Sequence, residues 1–325
     1  MIHRQTSLKL LDFHPSFDDL GVEILAGLQR TPKTLPPKYF YDQRGSQLFD
    51  QITRLPEYYP TETEVTIMVD NLDEIIGLVG PQASLIEFGS GTSTKTHILL
   101  ENLRELAAYV PVEISRDHLI DAAEHIAERY PDIEVLPVCA DFTKPFGLPD
   151  PAVRPIKNVV FFPGSTIGNF SPDQAQELLD TMAQIAKKDG VLLIGVDLKK
   201  DKTILECAYN DSAQVTAAFN LNMLTRMNRE LEADFDIDAF EHRAIYNEVQ
   251  DRIEMHLVSL REQTVEVAGE LLSFEDGEYI LTECSHKYSL DDFAQLAEPA
   301  GFQVAKVWTD ADQLFSVQYL LCKSA

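Results

Sequence analysis

Two clusters of small polar residues, each set at the end of an apolar run, carry the chemistry this sequence offers. The first, Pro163-Gly164-Ser165-Thr166-Ile167-Gly168-Asn169-Phe170, follows the run at 156–162 and delivers Ser, Thr and Asn to one place. The second, Gly89-Ser90-Gly91-Thr92-Ser93-Thr94-Lys95, follows the run at 84–88 and leads into the helical spacing of Ile98, Leu99, Leu103 and Leu106. Buried parallel strands end in such loops, and polar groups there face ligands in the crevice beyond the carboxyl ends of the sheet. A strand, a glycine turn and a helix bring backbone amides close to a nucleotide-type ligand. The second loop departs from the dinucleotide pattern, which needs glycine at Thr94, and from a Walker A loop, which closes on G-K-[ST]. Further on, the strand-like run at 108–114 carries Glu113, at roughly the 20-residue interval where a carboxylate meets ribose hydroxyls. The run at 133–139 is followed by Asp141 and Phe142, an acid and a ring suited to the amino group and face of adenine.

These loops must be positioned by a parallel sheet, and the remaining patterning supplies one. Apolar residues at helical spacing mark three pieces near the N-terminus: Phe17, Leu20, Ile24 and Leu28; Leu48, Phe49, Ile52 and Leu55; and Val65, Met68, Val69, Leu72 and Ile76. A further buried strand is expected at 190–198, a helical region at 201–231, and strands at 253–260, 264–268 and 278–284, the last preceded by the hairpin signal Asp276-Gly277. The tail reads as a helix at 290–300 stopped by Gly301, then strands at 302–308 and 314–322. The expected class is α/β.

Composition narrows the function. The chain has 325 residues, 45% hydrophobic and 25% charged, enough for a sheet domain of roughly 200 residues and a smaller lobe. A formal charge of −26 argues against nucleic acid and anionic membranes, whose phosphates need clustered Lys and Arg. A small zwitterionic substrate suits that balance. Cys139, Cys207, Cys284 and Cys322 lack ligand or disulfide spacing and read as reduced packing residues of a cytoplasmic protein. No secretory leader is visible at 1–11 and no run reaches the ~18 apolar residues of a membrane span. His256 and His286 stand in no metal-binding spacing, so no metal is expected.

Glu87 with the two glycines resembles the first motif of class I S-adenosylmethionine methyltransferases. Tyr39-Phe40-Tyr41-Asp42, Gly45-Ser46 with Leu48-Phe49, Leu55-Pro56-Glu57-Tyr58-Tyr59-Pro60, the run at 162–170 and Glu283-Cys284-Ser285-His286-Lys287-Tyr288 together resemble the histidine Nα-methyltransferases of ergothioneine biosynthesis. The resemblance spans nearly the whole chain. It implies a Rossmann-like class I methyltransferase sheet with a smaller α+β lid lobe. The lid lobe is expected from residues 1–60 and 199–286, the donor-binding domain from 61–198, and the end of the sheet from 287–325. It implies S-adenosyl-L-methionine as methyl donor, L-histidine as substrate, and three successive methylations of its α-amine to give hercynine. It also implies a monomer working on a small molecule.

Position by position, the resemblance places Asn169 and Tyr209 on the substrate carboxylate, Glu283 and Ser285 on the imidazole, and Met255 in the apolar pocket wall. Tyr41, Phe49 and Tyr58 surround the amine, Tyr41 being the catalytic candidate. Gly89, Lys95, Glu113, Asp141 and Phe142 fall on the cofactor side. An ionised Glu is a natural acceptor for an imidazole N–H, and neutral donors such as Asn can hold a carboxylate in an acidic protein. Each residue also has a plainer reading: Tyr41 and Tyr58 as packing rings, Met255 as core, Glu283 as the partner of a nearby Lys or Arg. Two rival functions remain open on the sequence, a methyltransferase for tryptophan-like or other amino-acid amines and a silent cofactor-binding module. Glu283 with Ser285 favours imidazole over indole, because a buried carboxylate facing indole loses a polar partner.

Overall fold

In the computed structural model, residues 8–13, 20–89 and 94–323 are described. The expectations for Phe17, Ser90, Gly91, Thr92 and Ser93 lie outside them. An eight-stranded sheet runs in the order Leu11–Asp12, Val138–Cys139, Ala108–Glu113, Ala83–Phe88, Lys157–Phe162, Val191–Asp197, Phe315–Cys322, Phe302–Thr309. The first six pair in parallel, and Phe315–Cys322 alone runs antiparallel to the neighbours on both of its sides. Ala83–Phe88 and Val191–Asp197 are buried along their whole length, which is why they read as unbroken apolar runs rather than as alternation. From Ala83–Phe88 the chain moves outward to one edge and returns on the other side at Lys157–Phe162. That reversal opens a crevice at the carboxyl ends, where both polar loops emerge. This is the expected α/β, Rossmann-like sheet.

A second sheet of four strands runs in the order Lys33–Thr34, Tyr279–His286, Arg252–Ser259, Phe240–Asn247. Its apolar face packs with the helices Gln43–Ile52 and Val215–Glu230 through Leu48, Phe219, Met223, Leu257 and Ile280, and Phe40 stacks on Phe219 at 4.4 Å. This core is separate from the two that cover the faces of the large sheet. Apolar side chains as far as Tyr59 join the smaller core, and Ile67 and Met68 on the same helix, Tyr59–Asp70, join the larger one. No helix among the described residues is long and apolar enough to cross a membrane.

Several expectations need correcting. The apolar spacing read as one helix through Ile76 is two, Tyr59–Asp70 and Leu72–Val79, and the helical region at 201–231 is Lys202–Tyr209 and Val215–Glu230. The run at 133–139 forms a strand only at Val138–Cys139, with an isolated bridge from Val135 to Tyr109. Asp276-Gly277 does form a turn, but the strands on either side of it pair elsewhere. The true hairpin joins Gln263–Val267 to Glu270–Phe274 through Ala268-Gly269, both at positive φ (50° and 82°) as a two-residue loop with the right twist requires. Alanine in a left-handed conformation gives no sequence signal. Phe240–Asn247 was also not anticipated, because it is half-buried and carries Glu241, His242 and Arg243 where a strand pattern wants apolar residues.

Candidate active site

The polar loop after Lys157–Phe162 meets the lid strand Tyr279–His286 across a cleft enclosing about 640 Å³, its open mouth included. Gly164 (φ 81°) and Ser165 (φ 57°) turn the chain back, and the Ser165 hydroxyl accepts the Asp197 N–H at 2.9 Å. The following 3-10 turn, Thr166–Asn169, lies so close to the lid strand that a Cβ on Gly168 would stand 2.7 Å from the His286 carbonyl oxygen. Close approach therefore requires glycine at 168, and it sets Asn169 into the cleft wall.

On the lid side, Glu283 and Ser285 line the cleft two residues apart on one strand face, and Met255 is the cross-strand partner of Glu283. Tyr209, at the end of Lys202–Tyr209, donates to the Ser285 hydroxyl at 2.9 Å. Edge-to-face contacts run from Tyr41 to Phe49 (5.7 Å), Phe49 to Tyr58 (6.5 Å) and Tyr58 to Tyr209 (6.1 Å). The Asp42 carboxylate caps Gln43–Ile52 by accepting the Gly45 N–H at 2.7 Å. A Cβ on Gly45 would fall 1.7 Å from the Phe40 carbonyl oxygen, so the Asp-x-x-Gly spacing fixes how Tyr41 and Phe49 enter the cleft. Burial pushes the Glu283 carboxyl up to about 7, against the pull of the Lys287 ammonium. No hydrogen-bond partner among the described residues meets it. The enclosing protein around its phenol and the Glu283 charge hold Tyr41 well above its ordinary range, so it works as a neutral hydroxyl, although 44% of the residue's surface faces the open cleft and solvent.

A buried ionic cluster that sequence reasoning missed closes the floor of the cleft. Asp197 accepts from Lys287 at 2.7 Å and from Lys200 at 2.5 Å, and both its oxygens accept the Tyr59 hydroxyl at 2.8 Å. Lys287 also donates to Ser285 (2.8 Å) and Tyr209 (3.2 Å). Burial opposes the Asp197 charge, yet the two ammonium groups hold its carboxyl below the usual range. Burial lowers Lys200 to about 8. A sequence signal existed: Asp197 ends an otherwise apolar strand, and Lys287 continues the alternation Glu283, Ser285.

Gly89, Glu113, Asp141 and Phe142 lie along the adjoining carboxyl edge of the large sheet. Gly89 has φ 71° and donates to Val112 O at 2.9 Å, and a Cβ there would first meet the Phe142 ring at 3.9 Å. That open, glycine-lined approach beside an aromatic face fits a nucleoside. Glu113 Oε1 accepts the Ile114 and Ser115 N–H groups, and burial raises its carboxyl. Asp141 accepts from Thr143 through one oxygen, and Phe142 packs on Phe88 and Phe162. Lys95 is held differently. It is buried and paired with Glu64 at 2.7 Å, and Glu64 also accepts the Gly164 N–H at 2.9 Å, so one carboxylate ties the start of the helix Thr94–Asn102 to the turn at Gly164. Two residues before Gly89, burial pushes the Glu87 carboxyl up to about 7 despite bonds from Tyr109 and Thr96. The structure thus gathers Tyr41, Phe49, Tyr58, Asn169, Tyr209, Met255, Glu283 and Ser285 around one cleft. His256 stacks on Tyr279 and bonds Glu254, and no group of three metal-ligating side chains occurs among the described residues.

Residues 20–322 match the family model described as histidine-specific, S-adenosylmethionine-dependent methyltransferase. The chain is 47% identical over 295 residues to histidine N-alpha-methyltransferase of Mycolicibacterium smegmatis, covering 89% of this chain and 90% of that one. It is 42% identical to the Mycobacterium tuberculosis enzyme of the same name, with the same coverage. Ergothioneine biosynthesis protein 1 of Neurospora crassa is 28% identical over 86% of this chain, which spans 32% of that longer protein. With that match over most of its length, the chain belongs to the family of histidine-specific, S-adenosylmethionine-dependent methyltransferases.

Proposed function

We propose that this chain transfers methyl groups from S-adenosyl-L-methionine to the α-amine of L-histidine, three times in succession, to give hercynine in the first step of ergothioneine biosynthesis. The observation that carries this reading is the single strand face bearing Glu283 and Ser285 opposite Asn169 and Tyr209, inside one aromatic cleft. Glu283 and Ser285 receive the imidazole, Asn169 and Tyr209 the carboxylate, and Met255 closes the ring pocket. Tyr41, Phe49 and Tyr58 enclose the amine. Gly89, Glu113, Asp141 and Phe142 hold the donor, and Lys95 supports its loop through Glu64. Residues 20–60 and 199–286 form the substrate lobe, a division supported by their separate cores, whereas Leu11–Asp12, expected within that lobe, pairs with Val138–Cys139 and joins 61–198 and 287–325 in the donor-binding domain. The same reading makes the protein a cytoplasmic monomer that works without a metal.

The donor, when bound, supplies an already activated sulfonium methyl. What the chain must do is hold a neutral amine in line with it, and orientation of this kind is worth several kcal/mol, up to ~7–11 in the best cases. Histidine arrives mostly as an ammonium, so a proton leaves before each transfer. Tyr41, kept neutral, orients a water or relay for that proton rather than acting as a phenolate base. The aromatic walls accept a progressively methylated nitrogen, since ring faces attract cations. The trimethylated product has no lone pair and cannot react again.

The test is mass spectrometry of a reaction containing the protein, S-adenosylmethionine and the twenty amino acids in equal amounts. The expected result is one shifted amino acid, histidine, heavier by three methyl groups at full conversion. A monomethyl end product refutes trimethylation, and a shift of tryptophan refutes the imidazole pocket.

A further inference from the structure

Along the extended chain from Glu283 through Ser285 to Lys287, alternate side chains face the cleft, and the four intervening steps span roughly 13 Å. A carboxylate therefore stands at one end of this face and an ammonium at the other. Lys287 is fully buried and makes three contacts, with Asp197 at 2.7 Å, Ser285 at 2.8 Å and Tyr209 at 3.2 Å. Lys200 contacts the same Asp197, so two ammonium groups face one carboxylate and the cluster carries a formal excess of +1. The Gly168 turn that carries Asn169 packs on His286, at the Lys287 end of the strand. In a chain of net charge −26, a substrate carboxylate needs a local source of positive potential; Asp197 and Lys287 line the cleft, and Lys200, bonded to the same Asp197, supplies the excess charge next to it.

We propose that Lys287, seated on Asp197, is a specificity-determining positioning residue that selects an α-carboxylate on the substrate. It polarises the Tyr209 hydroxyl and sets a positive charge behind it, so that an amine without a neighbouring carboxylate is discriminated against. The order of charge along the strand, Glu283 to Lys287, then matches the order imidazole to carboxylate in the ligand. The inference rests on the reading that Asn169 and Tyr209 hold the carboxylate.

The experiment compares kcat/KM for L-histidine and L-histidinamide in the parent protein, Lys287→Met and Tyr209→Phe. A charge-assisted contact to a carboxylate supplies ~10- to 100-fold discrimination. Parent protein is expected to prefer histidine by at least that factor, and Lys287→Met to lose the preference through a raised KM for histidine with little change for the amide. Equal losses on both substrates in Lys287→Met, with Tyr209→Phe abolishing the preference, overturn the role of Lys287 and leave the carboxylate site intact. A parent protein that does not distinguish the two substrates, or a Tyr209→Phe variant that keeps the full preference, overturns the carboxylate site and the proposal with it. Should Lys287→Met not fold because Asp197 loses a partner, Asp197→Asn/Lys287→Met removes both charges and is read in the same way, with retained preference counting against the proposal.

Discussion

Replacing Glu283 by Gln should make the ligand-free protein more stable while making it a poorer binder of histidine. The side chain keeps its size and loses a charge that the cleft holds without a hydrogen-bond partner among the described residues. Burial raises the carboxyl from 4.5 to about 7, which at about 1.36 kcal/mol per unit is roughly 3 kcal/mol. Screening at the open mouth of the cleft reduces this to about 2 kcal/mol. The sign follows from proton linkage: between pH 4.5 and 7 the folded protein holds a proton that the unfolded chain has lost, so the penalty on the native state grows as pH rises and is complete above about 7. Urea denaturation of parent and Glu283→Gln without ligands should show a small advantage for the variant at pH 5.5, widening to about 2 kcal/mol at pH 8. Titration calorimetry should show weaker histidine binding by the variant at pH 8. Equal stability at pH 8, or a gap that narrows with rising pH, would refute the reasoning that the cleft strains this carboxylate until an imidazole arrives.

Tyr41→Phe is expected to lower kcat by about 10²-fold with KM for histidine nearly unchanged, as steady-state kinetics would show, because the phenol organises proton departure rather than binding. Gly168→Ala forces a Cβ to within 2.7 Å of the His286 carbonyl and should cost ~1–3 kcal/mol by urea denaturation. The displaced Asn169 should also raise KM for histidine more than it lowers kcat. Lys95→Met leaves Glu64 buried without its ammonium, and a loss of ~3–5 kcal/mol is expected in the same denaturation assay. Swapping both members, Lys95→Met with Glu64→Gln, should restore much of it.

The donor side of the fold was legible because buried parallel strands announce themselves as short apolar runs bounded by glycine. The lid lobe was harder. Its strand Phe240–Asn247 has one face in water and carries charge, and its real hairpin turns on Ala268, whose left-handed backbone leaves no mark in the residue type. At the site, aromatic and polar residues within quoted motifs converged on one cleft, since their spacing reflects tight local geometry such as the Asp42 cap on Gly45. Asp197, Lys200 and Lys287 escaped notice because their meaning lies in a contact between positions far apart in the chain. Lys95 is the converse case: a residue in a recognisable loop whose ammonium pairs with a carboxylate from the helix Tyr59–Asp70, a contact its position in the sequence does not announce.

The strand Lys33–Thr34 completes the lid sheet by pairing with Ile280 and Leu281, and Lys33 binds Glu278 across 245 positions of sequence. At ~5–20 residues per second of synthesis, Lys33 waits roughly 10–50 s on the ribosome for that partner. The large sheet can gather most of its strands in the meantime, whereas the cleft can close only when nearly all of the chain has emerged. Shortened products would therefore be structured in part and catalytically dead, and the apolar face of Gln43–Ile52 and its neighbours would stand open to chaperones or to other chains during the interval.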